Sequence, residues 1–192
     1  FALHDNGTAL DIDKTQTKNT ILDVGAGPLT VINKKCDFTQ IEIYSVDPLA
    51  DEYDEILKKY NIQPIVRTQK CDGERLTEKF NENTFDITYS RNAIDHSYDP
   101  IKCIEEMIKA TKQNHFIILQ VSEKEGEKEG WWGLHKWNFF VKKSKFFFGK
   151  NVLWLQGWGS KKINLTDKFR GIAELVRLTK KDGYIDAVFK KT

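Results

Sequence analysis

The stretch Ile21-Leu22-Asp23-Val24-Gly25-Ala26-Gly27 decides the fold of this chain. A short apolar run that ends in glycines is typical of a buried strand entering a tight turn. Gly25 and Gly27 let the backbone turn sharply and come close to a ligand. Because open α/β sheets bind ligands at the carboxyl ends of their strands, we expect this turn to form part of a binding site.

Strand patterns and helical patterns alternate after this turn. Further strands are predicted at residues 41–46, 64–69, 85–89 and 115–121. Helices are predicted at residues 51–60 and from Asp99-Pro100 onward, where Asp99 is a typical N-cap and Pro100 suits the first helical position. The alternation predicts a Rossmann-like α/β fold, with a mostly parallel sheet and helices on both faces.

The pattern changes after the fifth predicted strand. A charged loop at residues 123–130 precedes residues 131–158, which hold all five tryptophans. Thr166 is predicted to cap a helix that runs to about Lys180, and residues 184–189 are predicted to form a last strand.

Length and composition favour a single domain over residues 1–192, with a cofactor-binding part at about 20–121 and an acceptor-side part at about 122–192. No stretch reaches the roughly 18 consecutive apolar residues that predict a membrane span. The cysteines are too few and too far apart for a disulfide framework, which favours a reducing, cytoplasmic location. The chain begins with Phe1 rather than Met, so we expect a segment to precede it.

Charge is unevenly distributed along the chain. Residues 1–98 carry 11 Lys and Arg against 17 Asp and Glu, whereas residues 99–192 carry 19 against 11. A basic half favours an anionic partner, although a solvated lysine-rich face explains the same numbers equally well.

Acidic residues follow the second and third predicted strands. Asp47 comes 24 residues after Asp23, where a carboxylate can accept both hydroxyls of a ribose. Asp72 comes 25 residues later, where a carboxylate can accept from the exocyclic amine of a base. A nicotinamide dinucleotide site is disfavoured, because Thr30 stands where its fingerprint needs a third glycine and Pro28 removes an amide from the turn.

Four ordered motifs resemble class I S-adenosylmethionine-dependent methyltransferases. They are the Ile21–Gly27 stretch, Ser45-Val46-Asp47, Cys71-Asp72-Gly73 and Phe85-Asp86-Ile87. The resemblance covers about residues 20–121 and implies S-adenosyl-L-methionine as cofactor and S-adenosyl-L-homocysteine as product. It also implies that Asp47 holds the ribose and Asp72 the adenine amino group. The cofactor-binding residues that it implies are Asp23, Gly25, Ala26, Gly27, Asp47, Pro48, Asp72, Gly73, Ser90, Arg91 and Asn92.

The segment after the fourth predicted strand holds the candidate catalytic residues. Because imidazole ionises near neutral pH, His96 is a candidate general base or acceptor-binding residue, and Asp95 is a candidate to orient it. A structural role for His96 stays open, since adjacent residues on a helix point in different directions. Asp95, His96 and His135 are conceivable metal ligands, but no metal-binding motif spacing is present, and no metal is predicted.

The tryptophan-rich segment is the candidate acceptor side. At least half of its aromatic residues are expected to fill core, but His135, Lys136, Trp137 and Asn138 would suit a polar or anionic acceptor if the segment folds over the pocket. The segments 92–96 and 133–139 are together similar to methyltransferases of bacterial capsule and surface-polysaccharide clusters. Some of those enzymes are proposed to methylate the capsular phosphoramidate group.

These patterns predict a methyltransferase that O-methylates a sugar or phosphoramidate precursor of a bacterial surface polysaccharide. A nucleic-acid methyltransferase is the main alternative, because the basic half and the interleaved aromatic residues allow it. It is disfavoured because Ser90-Arg91-Asn92-Ala93 stands where a base-flipping motif would be expected. A nicotinamide-dependent oxidoreductase and a non-catalytic nucleotide-binding module are the remaining alternatives. The oligomeric state is left open.

Overall fold

Strands dominate the residues that the computed structural model describes, which are 15–32, 39–143 and 151–192. In chain order the strands are β1 (Lys18–Val24), β2 (Gln40–Asp47), β3 (Thr68–Lys70), β4 (Phe85–Arg91), β5 (Thr111–Ser122), β6 (Trp137–Lys143), β7 (Asn151–Gly157), β8 (Ile163–Asn164), β9 (Ala173–Lys181) and β10 (Tyr184–Lys191). The helices are α1 (Ala50–Lys59), α2 (Leu76–Lys79), α3 (Pro100–Ala110), α4 (Glu125–Lys128) and α5 (Leu165–Lys168).

Seven strands form one sheet in the order β3-β2-β1-β4-β5-β10-β9. The first five strands are parallel to one another, and β10 is antiparallel to both β5 and β9. The chain leaves β1 toward β2 on one side and later returns to β4 on the other, so a crevice opens at the carboxyl ends of β1 and β4. The predicted Rossmann-like, mostly parallel sheet is therefore confirmed.

The two faces of the sheet bury alternate side chains of the same strands. Leu22 of β1 packs in the larger core cluster with Ile104 and Met107 of α3, whereas its neighbour Ile21 packs in a second cluster with Tyr89. α3 begins where predicted, because the Asp99 side chain accepts a hydrogen bond of 3.0 Å from the backbone N–H of Lys102. This cap fixes the residue at which α3 begins, after the turn that follows β4.

A second, three-stranded sheet forms the acceptor-side segment, in the order β6-β7-β8. Phe139 of β6 and Leu153 and Leu155 of β7 are buried in the larger core cluster. Phe139 and Phe140 are buried and Trp137 packs against the core, so part of the aromatic segment fills core, and β6 lies beside the turn that follows β4.

Two predicted elements are wrong in extent or kind. The third strand begins at Thr68 instead of residue 64, because Pro64 has no N–H to pair and Ile65 is exposed. The helix predicted from Thr166 to Lys180 is a four-residue turn, α5, capped by Asn164 and followed by β9. Asp182 and Gly183, both with positive φ, form a two-residue hairpin turn that pairs β9 with β10. Tertiary pairing thus overrides the helical pattern.

Among the described residues, no helix has both the length and the apolar character needed to cross a membrane.

Candidate functional site

The turn after β1 forms one wall of a cavity of about 220 Å³ at the carboxyl end of the sheet. Gly25 and Gly27 have φ values of +73° and +65°, a conformation that only glycine adopts without strain. A Cβ atom on Gly25 would lie 2.2 Å from the Cβ atom of Ala93, whereas one on Gly27 would meet nothing within 4 Å. The first glycine therefore permits close packing against the segment after β4, and the second leaves open space beside the cavity.

Asp47 holds this turn from the end of β2. Its carboxylate accepts backbone N–H groups from Gly27 at 3.1 Å and from Leu49 at 3.0 Å. A carboxylate has about four lone-pair positions, so two remain for further donors such as ribose hydroxyls. Pro48 is the exposed residue inside the turn that the Leu49 contact closes.

Asp23 is buried near the end of β1 and lines the cavity. The Thr30 hydroxyl donates to its Oδ2 atom at 2.6 Å and accepts from the backbone N–H of Ile32 at 3.1 Å. Thr30 thus orients the Asp23 carboxylate from the position at which a dinucleotide site would need glycine. Sequence analysis missed this role, and it also missed Val31, which lines the cavity.

The third strand brings Asp72 to the same end of the sheet, where its side chain is exposed. Gly73, which follows it, packs tightly against α3, since a Cβ atom there would lie 2.5 Å from Cys103 Sγ. The Asp72 carboxylate is therefore accessible at the surface, while Gly73 allows the turn to pack closely against α3.

β4 extends to Arg91, so of the three residues predicted to follow the fourth strand, Ser90 and Arg91 lie in the strand and only Asn92 follows it. Arg91 and Asn92 line the cavity. Asn92 has a positive φ of 45°, and its side-chain oxygen accepts the Ser122 N–H at 2.9 Å, which ties the ends of β4 and β5 together. Ser90 is buried, and its hydroxyl donates to the Val24 carbonyl at 2.7 Å, so it joins β4 to β1.

Asp95, His96 and His135 meet in one cluster, which we name the Asp95–His96–His135 cluster. His96 Nε2 lies 3.2 Å from Asp95 Oδ2 and 3.0 Å from His135 Nδ1, and His135 Nδ1 lies 3.5 Å from Asp95 Oδ2. Asp95 and His96 belong to the turn after β4, whereas His135 comes from the loop before β6. The tertiary structure thus joins residues 39 positions apart in the chain.

The other three predicted acceptor residues make contacts within the protein. The Trp137 indole donates to the Ser97 carbonyl at 2.9 Å and fastens β6 to the turn after β4. Asn138 is fully buried, and both ends of its amide are bonded to Glu127. Lys136 is exposed and donates to the Trp131 carbonyl at 2.7 Å. Trp137 and Asn138 therefore position the loop that carries His135.

Exposed aromatic side chains occur close in sequence to the cluster. Trp132 is 82% exposed, and its carbonyl accepts the backbone N–H of His135 at 3.2 Å. Tyr98, two residues after His96, is 93% exposed. Aromatic faces of this kind suit stacking on a sugar or a base.

Comparison with known proteins bears on the family and the fold of this chain. The model of a methyltransferase domain family matches residues 22–119. An uncharacterized methyltransferase of Schizosaccharomyces pombe is 29% identical over 110 residues, which cover 54% of this chain and 40% of that protein. The match thus spans less than half the length of this curated relative.

Solved structures share the fold at low sequence identity. A protein of Listeria monocytogenes assigned to the S-adenosylmethionine-dependent methyltransferases superposes with a TM-score of 0.57 at 11% identity, over 94% of both chains. The methyltransferase CalH, solved in complex with SAH, gives a TM-score of 0.60 at 12% identity, over 93% of this chain and 53% of that chain. The family match, together with the glycine turn and the sheet order, identifies the chain as a member of the methyltransferase domain family, the S-adenosylmethionine-dependent enzymes of class I fold.

Proposed function

We propose that this domain transfers the methyl group of S-adenosylmethionine to an oxygen of a small acceptor, and that the acceptor is a sugar or phosphoramidate precursor of a bacterial surface polysaccharide. The observation that carries the oxygen acceptor is the Asp95–His96–His135 cluster. It lies within a few residues of Ala93, which packs against the glycine turn of the proposed cofactor site. A group that attracts a hydroxyl therefore lies close to the place where the methyl donor would bind.

Residues in and beside the cavity fit four groups of the cofactor. The open space beside Gly27 and the remaining lone pairs of Asp47 suit the ribose, and the exposed Asp72 suits the adenine amine. The buried carboxylate of Asp23 favours a cationic group in the cavity, such as a sulfonium or an ammonium. Arg91, also on the wall, suits the methionyl carboxylate.

Catalysis of this reaction depends mainly on positioning the acceptor oxygen in line with the methyl group. The acceptor oxygen forms a bond to the methyl carbon while the carbon–sulfur bond breaks, and the electron pair stays on sulfur as S-adenosylhomocysteine forms. The hydroxyl proton must leave for a neutral product to form. In-line geometry and exclusion of water supply much of the acceleration, and the Asp95–His96–His135 cluster favours loss of the proton.

The acceptor class rests on the exposed aromatic residues and on the basic half of the chain. Trp132 beside His135 offers a stacking face for a sugar ring, and the excess of Lys and Arg after residue 98 suits an anionic group. The free thiols of Cys71 and Cys103 among the described residues support a reducing compartment, and we propose a cytoplasmic location.

Calorimetric titration with S-adenosylhomocysteine tests the cofactor site. We expect binding in the micromolar range for the wild-type chain and none with NAD. Asp47→Ala is expected to weaken binding by about 100-fold, because it removes the ribose acceptor and loosens the Gly27 turn. Wild-type affinity in this variant would place the ribose elsewhere, and NAD binding would overturn the cofactor assignment.

Release of S-adenosylhomocysteine in the presence of nucleotide-linked sugars, phosphoramidate-bearing precursors and oligonucleotides tests the acceptor class. We expect turnover with the first two and a rise in KM of about tenfold for Trp132→Ala, in line with the loss of one stacking contact. Tyr60→Ala, which removes an exposed aromatic residue at the end of α1, is the control and should leave KM unchanged. Turnover with oligonucleotides alone, weakening steeply with salt, would replace the sugar acceptor with nucleic acid.

A further inference from the structure

We propose that the Asp95–His96–His135 cluster is a binding site for one divalent transition-metal ion of the zinc type. The proposed ligand atoms are Asp95 Oδ2, His96 Nε2 and His135 Nδ1. Sequence analysis predicted no metal, because no ligand motif with the usual spacing is present. The tertiary structure supplies the missing arrangement by bringing His135 from the loop before β6 to the two residues after β4.

The three proposed ligand atoms form a triangle of the right size. Its sides are 3.0 Å between the two imidazole nitrogens, 3.2 Å from His96 to Asp95 and 3.5 Å from His135 to Asp95. Ligand atoms about 2.0–2.1 Å from one zinc ion at tetrahedral angles lie about 3.3–3.4 Å apart. An ion slightly outside the plane of the triangle can therefore reach all three atoms at ordinary bond lengths.

Protons alone do not satisfy this triangle. If only His96 Nε2 carries a proton, His135 Nδ1 and Asp95 Oδ2 face each other with lone pairs, and if only His135 Nδ1 carries one, His96 Nε2 and Asp95 Oδ2 do so. If both nitrogens are protonated, two N–H groups meet at 3.0 Å. A cation between the three atoms removes the conflict, because each atom then directs a lone pair at a positive charge.

Burial and donor type point in the same direction. The Asp95 side chain is 6% exposed, and its second oxygen, Oδ1, is buried without a hydrogen-bond partner among the described residues. A buried carboxylate with an unpartnered oxygen is costly unless a cation is present. Two imidazole ligands favour zinc, iron, cobalt or nickel over magnesium or calcium, which prefer oxygen ligands.

The exposed sides of the histidines leave coordination positions accessible. His96 and His135 side chains are 37% and 30% exposed, whereas Asp95 forms the buried side of the cluster. Three protein ligands with an open position are typical of catalytic metal sites. Resting on the proposed function, we infer that the ion would bind the acceptor oxygen and lower the pKa of its hydroxyl, and that the proton would leave to water at the exposed side of the cluster, so that His96 acts as a ligand and not as a general base.

Zinc titration of the untagged, chelator-treated chain tests the site. We expect one Zn²⁺ per chain, no binding of Mg²⁺ at similar concentrations, and a rise in Tm on addition of Zn²⁺. Substituting Co²⁺ should give the visible absorption bands of a four-coordinate ion with nitrogen and oxygen ligands. His96→Gln and His135→Gln are each expected to weaken Zn²⁺ binding by at least about 100-fold, since loss of a ligand exceeds the usual effect of losing an outer-shell partner.

His115→Gln is the matched control. His115 also lies 3.2 Å from a buried aspartate, Asp86, but Lys112 already supplies a cation there at 2.7 Å. We expect wild-type Zn²⁺ binding in this variant. No Zn²⁺ binding to the wild-type chain, or equal binding by the His96 and His135 variants, overturns the site. Methyl transfer that persists undiminished in metal-free protein overturns the part of the ion in the reaction, and S-adenosylhomocysteine binding measured on the same metal-free protein tests the proposed cofactor site separately.

Discussion

Two buried aspartates with histidine neighbours stand at opposite ends of the sheet and differ in what neutralises them. Asp86, at the start of β4, accepts from the Thr20 N–H and hydroxyl at 2.7 Å each and from Lys112 Nζ at 2.7 Å. Within the described part of the chain, Asp95, beyond the end of β4, has only imidazole nitrogens near Oδ2 and no hydrogen-bond partner for Oδ1. Lys112 therefore neutralises Asp86 within the fold, whereas no lysine or arginine of the described residues forms an ion pair with Asp95.

This difference separates a structural site from the proposed functional one. Burial by itself raises the pKa of Asp86, but the hydrogen bonds from Lys112 and Thr20 outweigh it and hold the pKa below the usual range. Such a group stabilises the folded chain and needs no ligand. An incompletely satisfied buried carboxylate at the carboxyl ends of the strands is instead where a ligand is expected.

The largest expected effect comes from exchanging the two aspartates for asparagine. Asp86→Asn should lower the free energy of unfolding by about 3 kcal/mol at pH 7, because it breaks a buried ion pair. Asp95→Asn, measured without metal, should change it by less than about 1 kcal/mol, because the lost carboxylate was not fully bonded. Urea unfolding of both variants checks the contrast, and equal losses would erase the distinction between the two sites.

The stability difference between wild type and Asp86→Asn depends on pH, and its direction follows from the lowered pKa of Asp86. A folded-state pKa below the unfolded one gives stability that is present above the unfolded value and lost as pH falls through the folded value. The gap between wild type and Asp86→Asn should therefore narrow below about pH 4.

Glu106 of α3 is a second carboxylate that lysine side chains of the fold neutralise, as Lys112 neutralises Asp86. Lys102 and Lys109 reach its Oε1 atom at 2.9 Å and 2.8 Å, and Thr77 N–H reaches Oε2 at 2.9 Å. Burial opposes ionisation, but these bonds lower the pKa of Glu106 to about 2. Glu106→Gln should cost about 2 kcal/mol at pH 7, a difference that fades between about pH 4.5 and pH 2. Unfolding experiments across this range check it, and a constant difference would contradict the pairing.

A smaller difference in stability is expected between alanine variants of Gly25 and Gly27, two glycines of the same turn. Gly25→Ala should lower stability by about 2 kcal/mol and impair binding of S-adenosylhomocysteine, because it adds both positive-φ strain and a contact with Ala93. Gly27→Ala adds the strain alone and should cost about 1 kcal/mol. Thermal unfolding and calorimetry of the pair measure the difference, and identical costs would show that Ala93 yields to the added methyl group.

The cofactor end of the sheet is the region that sequence predicts well. A buried strand followed by Gly25 and Gly27 needs a tight turn, and the residues that follow parallel strands meet at one edge. Asp47 therefore reaches the Gly27 turn, as its position at the end of β2 suggests. The role of Ser90 could not be predicted in this way. Alternate residues of a strand face opposite ways, and the strand register turns the Ser90 hydroxyl toward Val24.

The acceptor side is less predictable because its contacts are long-range. Residues 173–181 have a pattern compatible with a helix, yet pairing with β10 makes them a strand. Asp182-Gly183 was the hairpin signal that sequence analysis did not weigh. Asn138 looked available for an acceptor, but its burial against Glu127 depends on a loop packing that no local pattern encodes.

By itself the sequence determined the parallel part of the sheet, the glycine turn and the order of acidic residues at its edge, because these depend on local periodicity and on residues at the ends of strands. Only the tertiary structure decided that Thr30 orients Asp23 and that His135 joins Asp95 and His96. Both depend on side chains that meet across loops. Spacing along the chain carries no information about such meetings, since loop closure costs little extra entropy as the loop lengthens.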